Sequence, residues 1–131
     1  MSLGMLNMSV SEHGIFVDPN FRLATFNNWI FDSKPGARCT SQRLADAGFV
    51  SAVTADDPYS ASCAFCMKTL VWDPEDDPSE EHKSHSKRCL FVETVLGKPF
   101  EEITVEETIR LVSFRFARIN SSSVNNSKRY S

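Results

Sequence analysis

The sequence predicts an α+β fold, in which short helices surround a small three-stranded antiparallel sheet and one longer helix follows at the C-terminal end. Three observations lead there. Apolar residues recur at helical spacing in separate stretches, with short β-type runs between them. Pro, Gly and capping residues punctuate those stretches at intervals too short for long elements. The segment "CAFCMKTLVWDPEDDPSEEHKSHSKRC", from Cys63 to Cys89, holds three of the four cysteines and two of the three histidines.

The chain has 131 residues, which suits one domain with tails better than two domains. Hydrophobic residues at 41% and charged residues at 24% are ordinary globular values. A net charge of −3 gives no overall attraction to nucleic acid, so direct nucleic-acid binding is not expected. No stretch approaches the roughly 18 apolar residues of a membrane span, and the opening "MSLGMLNMSVSEHG" lacks the basic and apolar regions of a secretory signal. The expected location is therefore the cytoplasm and nucleus, where reducing conditions direct clustered cysteines toward metal or redox chemistry rather than disulfides.

Each element has its own warrant. Residues 1–14 lack a clear period and read as a disordered tail. In "FRLATFNNWIF", Phe21, Leu23, Ala24, Phe26 and Ile30 are spaced for a short amphipathic helix ending before the Pro35–Gly36 turn. "CTSQRLADAGF" offers Thr40 or Ser41 as an N-cap, Leu44, Ala45 and Ala47 for packing, and Gly48 as the stop. "FVSAVT" reads as a strand, and "SCAFC" with "MKTLVW" as a hairpin whose tip carries the cysteine pair. Asp77 caps a helix that begins at Pro78, with Glu80 completing an acidic capping box. A second box at Thr104 and Glu107 opens the last helix, over 104–120, and a polar tail over 121–131 reads as disordered. The domain itself is assigned to 15–95 and a linker to 96–103. A core of that size needs a staple.

Cys63, Cys66, His82 and Cys89 supply three thiolates and an imidazole, a complete tetrahedral set for one structural zinc. In continuous helix His82 and Cys89 would stand about 10 Å apart along the axis, too far to share an ion. The helix must therefore stop near Lys87 and fold back. A redox pair at Cys63 and Cys66 is the competing reading, but the helix-opening context of such motifs is missing. A catalytic zinc with Glu81 as base is opposed by the closed shell, since four protein ligands leave no place for water. Catalytic residues are accordingly expected to be absent, and Cys39 is expected to be a packed small hydrophobe.

Together, "RLATFNNWIF", "CTSQRLADAGF", "CAFC" and "WDPEDDPSEEHKSHSKRC" closely resemble the baculoviral inhibitor-of-apoptosis repeat, the BIR domain, over about residues 18–92. The resemblance implies the zinc-binding BIR fold, with Cys63, Cys66, His82 and Cys89 as ligands. It also places a structural arginine at Arg22 and a turn glycine at Gly48. A buried guanidinium with five donors can tie several carbonyls together.

The function implied is recognition of a partner's free N-terminus in a shallow groove beside the zinc. "DPEDDPSEE" carries six carboxylates in nine residues, a negative site for an ammonium group. Leu70 and Val71 stand at a strand edge suited to an extended peptide. Trp72 offers an apolar wall and a cation–π face, and Asp76 falls at the family's amine-binding carboxylate. A single repeat followed directly by a helix, joined through "FEEITVEE", resembles the chromosomal passenger members of the family. The resemblance places Lys68 and His85 where those members meet the phosphate of a phosphorylated histone tail peptide. The helix joins helices of borealin and the inner centromere protein, bringing a mitotic kinase to centromeres and the spindle midzone.

Val105, Ile109, Val112, Phe116 and Ile119 recur at spacings of four and three, a seam for partner helices, while Leu111 and Phe114 widen the apolar surface. The opposing reading folds the helix back on the domain. A homodimer through the segment around "FEEITVEET" is a further expectation from the resemblance, although Thr108 stands where those members have an aromatic residue. The alternative function is an apoptosis inhibitor that binds caspases or the N-terminal peptides of their antagonists.

Overall fold

The structure is a computed structural model that describes residues 14–125, with side-chain detail to residue 120. The tail expected over 1–14 lies outside the described residues apart from Gly14, as does the stretch from 126 onward.

A 3-10 turn at Ile15–Val17 leads into α1, Pro19–Leu23, whose first turn is set by Asp18: its carboxylate accepts from the Asn20 amide at 2.9 Å, and Pro19 occupies the first helical position. The amphipathic helix expected through Ile30 does not form. Thr25 turns its hydroxyl to the Arg22 carbonyl at 2.7 Å and accepts from the Ser51 amide at 2.9 Å, and Asn28 adopts φ 55, outside any right-handed helix. Phe21 and Ile30, two of the residues expected to face inward, are 49% and 46% exposed. Trp29 and Phe31 are buried in their place, with the Trp29 indole donating to the Cys39 carbonyl at 2.9 Å and its ring edge-on to Phe26 and Phe31.

Helix α2, Ser41–Asp46, begins as the sequence predicts: the Thr40 hydroxyl accepts from the Arg43 amide at 3.3 Å. It ends at Gly48, where φ is +101. The chain then enters β1, Phe49–Ser51, which is shorter than "FVSAVT" because a Thr54–Asp57 turn closes the loop beyond it. Strands β2, Ser60–Cys63, and β3, Thr69–Val71, complete an antiparallel sheet in the order β1-β2-β3, with Phe49 opposite Cys63 and Ala61 opposite Leu70. Asp77 accepts from the Ser79 and Glu80 amides to start α3, Pro78–His85. The Glu80 carboxylate lies 3.6 Å from Lys83. Helix α4, Leu90–Thr94, follows after a turn, with Cys89 as its N-cap residue.

Helix α5 runs Val105–Asn125, beyond the end expected at 120, because no Gly or Pro interrupts the polar run that follows Asn120. Its start is the reciprocal box read from sequence: Glu107 accepts from the Thr104 amide at 2.9 Å, and Thr104 accepts from the Glu107 amide at 3.0 Å. The reading that folds the helix back on the domain accounts for part of its packing. Leu111 is fully buried, and Val112 and Phe114 pack against the core. Val105 and Ile109 stand 76% and 59% exposed, Phe116 is exposed, and Ile119 is half-buried. The seam is therefore divided, with Val112 turned toward the domain.

One arginine organises the N-terminal half. Arg22 is buried and donates through Nε to the Ala45 carbonyl at 2.7 Å, and through Nη1 to the carbonyls of Phe16 at 2.5 Å and Val17 at 3.1 Å. Its guanidinium stands over the rings of Phe91 and Phe65. Gly48 permits this packing, since a Cβ there would meet the Phe91 ring at 2.9 Å. Gly36 also has positive φ, +78, but faces open space. Gly48→Ala is therefore expected to lower stability by about 1–3 kcal/mol, and by more than Gly36→Ala, in urea unfolding of the metal-loaded protein. Equal losses would show that the Phe91 contact does not constrain the site.

Candidate metal centre and peptide groove

The ligand atoms of Cys63, Cys66, His82 and Cys89 all lie within 4.8 Å of one another, so the chain folds four residues from three different segments into one metal-holding group. Cys63 ends β2 and Cys66 closes the tight knuckle before Met67, whose φ of 68 reverses the chain toward β3. The Phe65 and Cys66 amides both donate to Cys63 Sγ at 3.3 Å, an arrangement that stabilises a thiolate at that position. His82 comes from α3. That helix ends at His85, and Ser86 and the following turn bring Cys89 back, as the spacing requires.

The donor geometry suits a metal ion. His82 Nδ1 donates to the Ala47 carbonyl at 2.6 Å, which fixes the ring and turns Nε2 toward the sulfurs. That Nε2 is fully buried and has no hydrogen-bond partner, a costly arrangement for a structure with no ion there. Cys63 Sγ and Cys89 Sγ are 3.7 Å apart, close to the edge of a tetrahedron with metal–sulfur bonds of about 2.3 Å. Three sulfurs and one imidazole, mostly buried, match structural zinc. Burial pushes the Cys63 thiol well above its ordinary range, while hydrogen bonds with Cys63 and Cys89 hold Cys66 below it. Cys39 stands apart from this group; it is buried, and burial pushes its thiol up to about 12.

The candidate groove residues fall in the segment from the knuckle to the end of α3. Lys68 lies in the turn after the knuckle, where its carbonyl accepts from the Cys63 amide at 2.9 Å. Strand β3 is the edge of the sheet; Leu70 is half-buried against the core, and Val71 is 57% exposed. Trp72 differs from expectation. It is only 4% exposed and packs edge-on against Phe49 at 4.9 Å, so it is a core residue rather than an open cation–π face. The reason is its position directly after the edge strand, where its amide bonds to the Tyr59 carbonyl and holds the side chain against the sheet.

Asp76 uses one carboxylate oxygen to accept from the Asp73 amide at 2.9 Å, so it shapes the acidic turn as well as charging it. Asp77 is partly neutralised by Arg38 at 3.1 Å and Arg43 at 3.4 Å. His85, at the end of α3, lies 3.2 Å from Glu81.

Three participants were not singled out from sequence. The Ala47 carbonyl and Ser86 beside Cys66 at 3.5 Å depend on tertiary placement. Arg115, which donates to the Ala64 carbonyl inside the knuckle at 2.7 Å, was legible as the i+4 neighbour of Leu111 on the docking face.

Because the buried thiols must lose their protons to bind the ion, metal affinity is expected to rise with pH and to weaken as pH falls. Proton release on zinc addition, followed in weakly buffered solution, checks this, and uptake without release would contradict it. Cys66→Ser is expected to abolish stoichiometric zinc retention, whereas Cys39→Ser leaves it intact.

Comparison with known proteins agrees with this geometry. The family model described as "BIR: Inhibitor of Apoptosis domain" matches residues 22–93. Baculoviral IAP repeat-containing protein 5 of Cavia porcellus is 45% identical over 91 residues, 69% of this chain and 61% of that protein. The protein of the same name from Mus musculus is 44% identical over 93 residues, covering 70% and 64%. Baculoviral IAP repeat-containing protein 5.2-A of Xenopus laevis is 47% identical over 91 residues, covering 69% and 55%. The matched stretch thus spans less than two thirds of each of these relatives. Among solved structures, the crystal structure of DIAP1 BIR1 bound to a Grim peptide aligns with a TM-score of 0.47 and 27% identity, over 74% of this chain and 92% of that one. With the arginine, the turn glycine and the Cys3His set all within the matched residues, the chain belongs to the BIR, or inhibitor-of-apoptosis, domain family.

Proposed function

We propose that this protein is a non-catalytic adapter, stapled by one zinc ion, whose groove takes the free N-terminus of a partner. The observation that carries this reading is the outer edge of β3, which pairs with no strand among the described residues and runs into the Asp73–Asp76 turn. An extended peptide adding to that edge would use main-chain hydrogen bonds for affinity and place its terminal ammonium against the acidic turn. In this reading Leu70 and Val71 would line its path above the buried Trp72, and Lys68 and His85 would meet an acidic or phosphorylated group further along.

The partner we favour is a histone tail phosphorylated at its third residue. In this reading the protein acts on chromosomes and the spindle midzone, as a survivin-like chromosomal passenger subunit that helps target a mitotic kinase. The exposed Val105 and Ile109 would receive helices of borealin-like and inner-centromere-protein-like partners. The family's own description favours a second reading, an inhibitor of apoptosis that takes the N-termini of caspase antagonists.

Peptide titrations separate the two. A peptide beginning Ala-Arg-phosphoThr is expected to bind more tightly than one beginning Ala-Val-Pro; the reverse order would favour the inhibitor reading. Asp76→Asn removes the charge while keeping an acceptor for the Asp73 amide, and is expected to weaken binding about tenfold with zinc content unchanged. An unaffected affinity would remove the amine from this turn. For the helix, Ile109→Glu is expected to abolish capture of partner helices without changing the melting of the isolated chain; undiminished capture would place the partner face elsewhere.

A further inference from the structure

We propose that Arg115 is a positioning residue for the metal knuckle, so that docking of α5 and retention of the metal are one linked equilibrium. The guanidinium spans three parts of the fold. Nη1 donates to the Ala64 carbonyl at 2.7 Å, the side chain belongs to α5, and its terminal carbon stands 4.6 Å from the Phe16 ring centre. Ala64 lies between the two ligands of the knuckle and is 1% exposed. Its amide is already held by the Gly48 carbonyl at 2.9 Å. The knuckle backbone is therefore gripped from the sheet side by Gly48 and from the helix side by Arg115.

Charge gives the link its direction. A dication bound by three thiolates and a neutral imidazole carries a net negative charge, and a buried charge of that kind needs a counterion. Arg22 and Arg115 both bring a guanidinium to the knuckle, Arg22 over the Phe65 ring and Arg115 on the Ala64 carbonyl. Arg22 is fully enclosed and commits its bonds to carbonyls of the N-terminal turn and α2. Arg115 is different, because it arrives on a helix that can leave. Leu111, fully buried four residues earlier on the same face, anchors the helix at the height that lets Arg115 reach the knuckle. By linkage, whatever lifts α5 from the domain removes a counterion from the metal site, and loss of the metal removes the charge that favours α5 in place.

The test uses the full zinc-loaded chain. Zinc affinity is read by competition with a chromogenic chelator, and docking of α5 by hydrogen exchange of its amides around Leu111. Arg115→Met keeps the apolar stem and is expected to weaken zinc retention about tenfold, with faster exchange at Leu111–Arg115. Arg115→Lys, which keeps the charge but not the fork, is expected to fall between Met and wild type and serves if the Met variant does not fold. Leu111→Asp, which undocks the helix, is expected to lower zinc affinity in the wild-type background but to add no further loss to Arg115→Met. Arg110→Met, which breaks only the exposed Glu106 pair, is the control and leaves both readouts unchanged. Zinc affinity equal to that of the control in both Arg115 variants, even with a lowered melting temperature, would overturn the proposal. So would fully additive losses in the Leu111–Arg115 pair.

Discussion

Three sulfurs and an imidazole nitrogen held within 4.8 Å of one another, and largely shut off from water, constitute the constraint on which the rest of this domain depends. Thiolates at that spacing repel, and an imidazole nitrogen with no partner is costly to bury, so the arrangement favours a cation at its centre. An ion held there would join three segments of the chain. Cys63 and Cys66 fasten the β2–β3 hairpin, His82 fastens α3, and Cys89 fastens the turn into α4. His82 also packs against Phe49 and Phe91, so the ligand set and the aromatic core are one assembly.

Around that centre the packing is layered by aromatics and closed by a buried arginine. Phe65 stacks on Phe91, Phe49 meets Trp72, and Arg22 covers the Phe65 and Phe91 rings while tying the N-terminal turn to α2. The result leaves β3 as a short sheet edge beside an acidic turn, on rigid support. The metal-holding group and the sheet edge are therefore not independent features. The hairpin that carries two metal ligands also carries the edge strand, and the helix that carries His82 begins within the acidic run.

Much of this was legible because the informative signals are local. The caps at Thr40, Asp77 and Thr104, the stop at Gly48 and the forced turn between His82 and Cys89 are each decided within a few residues, and each is present. The N-terminal helix was misread because hydrophobic periodicity over Phe21–Ile30 says nothing of tertiary bonds to Thr25 or of the left-handed turn at Asn28. Trp72 was placed on the groove face for a similar reason. Sequence shows an aromatic beside a strand edge, but which way it turns depends on the space beside Phe49. The last helix carried two apolar faces in one pattern, and periodicity alone does not assign one to the domain and the other to solvent. Where the polar run ended as helix, the capping rules had no stop residue to read.

The fold is expected to depend most directly on the ion. Purified protein should contain one zinc per chain by elemental analysis, and adding a strong chelator should replace its cooperative thermal transition with a broad, non-cooperative one. Protein that holds no stoichiometric metal, or that melts identically with and without chelator, would contradict it.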